Sequence, residues 1–112
     1  MGIQFLREGD LQHDEISHYL VGESFGGVNV CVIFFDGAPG EGPGLHRHPY
    51  PEVLIVLEGK ATFDDGHSKR ELGPGEIALV PAGQVHGFVN SGEGRLRQID
   101  VHLSPKFITE WV

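Results

Sequence analysis

One cysteine, Cys31, stands in a chain of 112 residues. It excludes an intrachain disulfide and fits a reducing compartment. It lies in a strand-like apolar run, which makes it a buried structural thiol rather than a nucleophile. Positive charge is scarce as well: eight Lys and Arg against sixteen Asp and Glu leave a formal charge of -8. Phosphate binding needs clustered cations, so a nucleic-acid partner is excluded, as is attraction to an anionic membrane. No apolar run is long enough to span a bilayer; the longest candidate, Val53 to Leu57, is far too short. The opening MGIQFLREGD carries acidic residues and lacks the apolar stretch of a signal peptide, and Leu6 stands where myristoylation prefers Ser or Thr. A cytoplasmic protein is the expectation.

What is abundant is glycine. Seventeen glycines are roughly twice the usual ~7% share, and seven prolines fall between apolar runs. A helix bundle would not tolerate them, whereas short strands joined by tight turns need them. No linker or low-complexity tract divides the chain, so residues 1–112 are expected to form one domain.

Strands are predicted over Ile16 to Val21, Val28 to Phe35, Leu45 to His48, Glu52 to Leu57, Glu76 to Val80, His86 to Asn90 and Leu96 to Leu103. Lys60 to Asp64 and His67 to Leu72 flank Asp65-Gly66, which reads as a two-residue type I′ hairpin turn. Residues 36–44 (DGAPGEGPG) are a loop. Only the tail reads as helix: Ser104-Pro105 is a cap residue followed by proline, and Phe107, Ile108 and Trp111 form one apolar stripe.

The histidines are unevenly placed. His46 and His48 are two apart, so in a strand both side chains leave one face. Glu52 has the same parity, across the interruption of Pro49-Tyr50-Pro51. His86 could meet them only through the fold. Three imidazoles and a carboxylate suit a divalent first-row transition metal; taken singly, a strand histidine is more often a surface or hydrogen-bonded core residue than a ligand. His13, His18 and His67 lack partners at ligand spacing, and Arg47 should point away from His46 and His48.

The glycines and prolines add a frame to this cluster. From Gly40 the chain reads G-x5-H-x-H-x3-E-x6-G, ending at Gly59. From Gly75 it reads G-x5-P-x-G-x2-H-x3-N, through Pro81, Gly83 and His86 to Asn90. Residues 40–59 and 75–90, separated by the segment 60–74, resemble the two signature motifs of the cupin superfamily at every defining position. The likeness is nearest to small one-domain bacterial cupins. It implies an all-β, double-stranded β-helix (jelly-roll) barrel, closed here by the short C-terminal helix. It also implies that His46, His48, Glu52 and His86 hold one metal ion.

A closed structural zinc site usually carries cysteine. Three histidines and a glutamate instead suit an octahedral ion that keeps two positions open: Mn(II) or Fe(II) first, with Ni, Co, Cu or Zn as alternatives. The resemblance then points to a metal-dependent enzyme, dioxygenase- or decarboxylase-like, acting on a small oxygenated molecule. The alternatives are a non-catalytic module that binds or senses a small ligand, and a sugar isomerase; the fold does not choose among them.

Second contributors are candidates only. In LRQIDVHL, Leu96, Gln98, Asp100 and His102 share one face, and Arg97, Ile99, Val101 and Leu103 the other. Either the polar face lines the pocket or it meets solvent. Tyr50 shares the ligands' parity and sits either at the pocket mouth or on the surface. Val53 to Leu57 is apolar at both parities, so the face opposite the ligands also needs cover, and a homodimer is expected.

Overall fold

The computed structural model describes residues 2–112. Eleven strands follow in chain order: β1 Gln12–His13, β2 Ser17–Val21, β3 Cys31–Gly37, β4 His46–Arg47, β5 Glu52–Glu58, β6 Ala61–Asp64, β7 Lys69–Leu72, β8 Ile77–Val80, β9 Gly87–Asn90, β10 Leu96–His102 and β11 Glu110–Trp111. Every pairing is antiparallel. A six-stranded sheet runs β1-β2-β3-β10-β5-β8, a three-stranded sheet runs β7-β6-β9, and β11 pairs with β4. Sequence neighbours β5 and β6 lie in different sheets, and β10 is inserted between β3 and β5. This is the jelly-roll double-stranded β-helix that the sequence motifs imply. Among the described residues, no helix is long and apolar enough to cross a membrane.

β-Branched and aromatic residues with alternating burial make the central strands. Leu96, Gln98, Asp100 and His102 of β10 are buried, while Arg97 is exposed and Ile99 and Val101 are half-buried. On the inward face, the register aligns Val56, Gln98 and Phe35 in one row across β5, β10 and β3. Leu54, Asp100 and Ile33 form the next row, and Glu52, His102 and Cys31 the last. One end of the barrel is therefore apolar and the other polar. The apolar end holds the core, where Phe35, Leu54, Val56, Ala61, Leu72, Val80, Phe88 and Leu96 pack together. Phe35 and Phe88 meet edge-to-face at 5.1 Å, a preferred aromatic geometry.

Two local expectations are corrected. The tail forms no α-helix; among the described residues the only helical turns are the 3-10 segments Glu8–Asp10 and Gly22–Phe25. Residues 104–112 instead run as an extended strap, ending in β11 against β4. So short a helix is marginal without help. Here the Ile108 amide and carbonyl serve Tyr50 and His48 instead, and the Val112 amide donates to the Leu45 carbonyl. The Asp65-Gly66 turn is also longer than predicted. Asp64 pairs with Lys69, leaving Asp65 to Ser68 as the loop. A type I′ turn would need positive φ at both central residues, but only Gly66 has it. The Asp65 carboxylate accepts the His67 and Ser68 amides, each at 2.8 Å, and so stabilises the wider loop.

Gly59, between β5 and β6, has φ +88°, and a Cβ there would lie 2.3 Å from the Arg95 carbonyl oxygen. Gly26 has a similar φ of +81° but open space around it. Gly26→Ala should cost only the left-handed conformation, about 1–2 kcal/mol. Gly59→Ala should cost at least about 1 kcal/mol more, because backbone must also move. Urea unfolding of both variants checks the difference, and equal losses would refute the steric role of Gly59.

Candidate metal centre

The site is assembled by backbone before any side chain acts. His46 and His86 face each other across an antiparallel bridge, each amide donating to the other's carbonyl at 2.9 Å. The Gly83 amide donates to the His48 carbonyl at 2.7 Å, which anchors the turn before His86 to the strand that carries the first two histidines. Gly83 has positive φ, the conformation for which glycine is the permissive residue. Glu52 enters from the first position of β5, opposite Val80 on one side and His102 on the other.

His46, His48, Glu52 and His86 are all buried, and one ligand atom from each lies within 4.8 Å of the others. Each of the three imidazoles is oriented from behind. Nδ1 of His46 donates to the Gly44 carbonyl at 2.7 Å. Nδ1 of His48 donates to that of Ile108 at 2.9 Å, and Nδ1 of His86 to that of Gln84 at 2.9 Å. These bonds place the proton on Nδ1 and leave the Nε2 lone pair for coordination. Two of the Nε2 atoms close on one carboxylate oxygen: Glu52 Oε1 lies 2.9 Å from His86 Nε2 and 3.3 Å from His48 Nε2.

A carboxylate cannot face imidazole lone pairs at such distances without positive charge between them. Protons or a metal ion must supply it. The buried His48 Nε2 has no hydrogen-bond partner, which leaves its lone pair free for an ion. The donor set of three nitrogens and one oxygen suits a first-row divalent ion. These four residues can hold one.

Electrostatics follow the same geometry. Burial alone would raise the Glu52 carboxyl, but the contacts with His102, His48 and His86 hold it well below the usual carboxylate range. Burial lowers His46, partly opposed by its bond to Gly44. Burial also acts to lower His86, but Glu52 and the Gln84 carbonyl outweigh it and leave it raised.

The polar face of β10 points inward, away from solvent. His102 Nε2 lies 3.1 Å from Glu52 Oε2, and its Nδ1 accepts from the Tyr50 hydroxyl at 2.7 Å. Tyr50 is buried behind His48 and His102, with its ring stacked on that of His48 at 5.0 Å. It stands at neither of the two places its parity suggests, the mouth or the surface. Gln98 donates to Asp100 Oδ1 at 2.7 Å. Asp100 and His102 line the cavity; Gln98 and Tyr50 reach it only through them. Arg47 points outward and is held by Glu110.

Two contributors are invisible in the sequence patterns. Ile108 acts through its backbone carbonyl on His48, and Trp111 lies over His46 with ring centroids 5.0 Å apart. Their spacing predicts a helix instead. An extended tail reaching back to β4 has no signal in so short and irregular a segment.

The cavity above the four ligands has a volume of about 330 Å³. Phe35, Leu54 and Phe88 are common to it and to the core and form its floor. Tyr19, Phe107 and Trp111 also line it; Tyr19 and Phe107 are half-buried and Trp111 is exposed, which puts them at the rim.

Comparison with known proteins agrees with this architecture. The dimethylsulfoniopropionate lyase DddQ of Ruegeria pomeroyi is 43% identical over 43 residues, 38% of this chain and 21% of that protein. The chain spans less than half the length of the curated relatives it matches. Among solved structures, the polyketide cyclase RemF of Streptomyces resistomycificus superposes with a TM-score of 0.79 at 21% identity, covering 99% of this chain and 86% of that one. A variant of the oxalate decarboxylase OxdC of Bacillus subtilis gives 0.80 at 19% identity, covering 96% and 31%. At those identities the two structures show the fold alone. The sequence profile of the family described as Cupin domain matches residues 33–102, and this chain belongs to the cupin family.

Proposed function

We propose that the protein is a metal-dependent enzyme in which His46, His48, Glu52 and His86 hold one divalent transition ion, Mn(II) or Fe(II) before Ni, Co, Cu or Zn. The observation that carries this reading is the clustering of three Nδ1-anchored imidazoles and one buried carboxylate, with ligand atoms within 4.8 Å of one another. When bound, the ion supplies Lewis acidity and, for Fe or Mn, redox capacity toward a small oxygenated molecule, in dioxygenase- or decarboxylase-type chemistry. Four protein ligands would leave an octahedral ion two free positions, and the cavity is lined by those same four side chains. Catalysis is favoured over a purely binding module by Asp100, a buried acid on the cavity wall. The name of DddQ, a lyase, supports the enzyme reading. Burial, then the charge of Glu52, push the Asp100 carboxyl well above the usual carboxylate range, against the bond from Gln98. Such an acid keeps its proton to higher pH and can donate it to a bound molecule.

A single buried thiol, Cys31, supports a cytoplasmic setting. The outer face of the six-stranded sheet supports a homodimer. Leu79, Val53, Val101, Val32 and Leu20 form one cross-strand row there. Ile77, Ile55, Ile99 and Phe34 form a second, and Leu79 is 75% exposed. Monomers rarely expose so continuous an apolar face. A second copy supplies cover of the same chemistry and shape.

His48→Ala and His86→Ala should each reduce bound metal at least about tenfold and lower the melting temperature of the metal-loaded protein, because an ion bound only to the folded state stabilises it. Elemental analysis and calorimetry measure both, and unchanged metal content in the two variants would end the assignment. Nitric oxide should bind the Fe(II) form and alter its spectrum; a spectrum indifferent to it would mean no free position, which leaves the binding module.

The raised Asp100 pKa sets a direction for stability. Its contribution is full below the unfolded value, near 3.8. It falls as pH rises toward the folded value, by about 1.4 kcal/mol for each pH step of one between the two. Asn matches the neutral acid in shape and does not ionise. Asp100→Asn should therefore gain stability over the parent between pH 4 and pH 7 in urea unfolding. A constant difference across that range would show that Asp100 is not held neutral.

Light scattering should show a dimer at micromolar concentration and a monomer for Leu79→Lys. A parent protein that is monomeric there would refute the pairing.

A further inference from the structure

The cavity contains no cation beyond what the metal centre brings. Among the described residues, no lysine or arginine lines it. Arg47, on the same strand as His46, is turned outward and neutralised by Glu110. A dicarboxylate chelating through one oxygen of each carboxyl group would leave two outer oxygens, which share the negative charge by resonance, facing this wall. Burying charge without a partner is costly. The wall is instead aromatic. Phe107 meets His102 edge-to-face at 4.9 Å and Tyr19 at 5.9 Å. Trp111 extends the same rim over His46, and Phe35 and Phe88 close the floor. Aromatic surfaces of this kind favour flat partners through offset and edge-to-face contacts.

We propose that the molecule bound in this cavity is aromatic, offers adjacent oxygens to the metal, and carries no charge beyond those oxygens. The inference rests on the metal-dependent reading above and deepens it by naming the substrate class. Small dicarboxylates are excluded from that class. Selectivity resides in Tyr19, Phe107 and Trp111, while affinity for the chelating oxygens resides in the metal centre.

The test uses protein loaded with Co(II), whose visible spectrum reports coordination, and two oxygen chelators, tropolone and oxalate. Trp111 is the only tryptophan, so its emission reports occupancy of the rim independently of the cobalt spectrum. Filtration verifies that cobalt stays with the protein. Tropolone should change both signals, and the protein should favour it over oxalate at least about tenfold more than free Co(II) does. Phe107→Ala should weaken tropolone about tenfold and leave oxalate and cobalt binding unchanged. If oxalate matches or exceeds tropolone on that scale, or Phe107→Ala weakens both equally, the aromatic class is wrong and the metal centre stands. If cobalt is retained but neither chelator moves its spectrum, the open positions are absent and both readings fall. Failure to retain cobalt removes the metal centre itself, and the inference with it.

Discussion

The structure depends on one costly burial, that of the Glu52 carboxylate at 3% exposure. An isolated carboxylate in such a place would take up a proton or pull the fold open. Here it stands at the focus of His48, His86 and His102, and each of those rings is anchored in turn. His86 leans on the Gln84 carbonyl, His48 on that of Ile108, and His102 on the Tyr50 hydroxyl. The charge is thus met by a network that reaches the turn after β8, the C-terminal strap and the break between β4 and β5. A half-satisfied network of this kind would be worse than an apolar core. The two nitrogens that still lack hydrogen bonds, Nε2 of His48 and of His102, both lie beside Glu52.

The two carboxylate oxygens divide the work. Oε1 faces His48 and His86, and Oε2 faces His102. His102 accepts the Tyr50 hydroxyl at Nδ1, so its own N–H lies at Nε2, 3.1 Å from Oε2 but not aligned with it. That is the tautomer opposite to the one imposed on His46, His48 and His86. Four histidines of one cluster therefore differ in role because of what each meets behind it: a carbonyl for three, a hydroxyl for the fourth. The residue type alone does not distinguish them.

This explains which parts are legible in the sequence. The spacing of His46, His48 and Glu52 carries its own parity, and the glycines and prolines around His86 mark turns whatever their neighbours. The polar face of β10 is ambiguous there, because Leu96, Gln98, Asp100 and His102 alternate with Ile99, Val101 and Leu103 and either set could face inward. Only pairing with β5 and β3 decides it, by setting His102 beside Glu52 and Gln98 beside Val56 and Phe35. The tail misleads for a related reason. Phe107, Ile108 and Trp111 have helical spacing, yet each is claimed by a different neighbour: Phe107 by Tyr19 and His102, the Ile108 backbone by His48 and Tyr50, Trp111 by His46. Tertiary contacts override so weak a local preference.

The barrel also separates two demands that a small protein finds hard to reconcile. A domain of this size buries only about two-thirds of its unfolded surface, so a polar centre consumes scarce interior. The rows across β5, β10 and β3 confine it to one end, passing from Val56–Gln98–Phe35 through Leu54–Asp100–Ile33 to Glu52–His102–Cys31. Folding free energy comes mainly from the first end, where apolar area leaves water. Chemistry is available at the last, where Asp100 and the histidines meet the cavity. Phe35, Leu54 and Phe88 belong to both ends. The same side chains that stabilise the core thus form the floor on which a bound molecule would rest, and a change of cavity shape there would be felt as a change in stability.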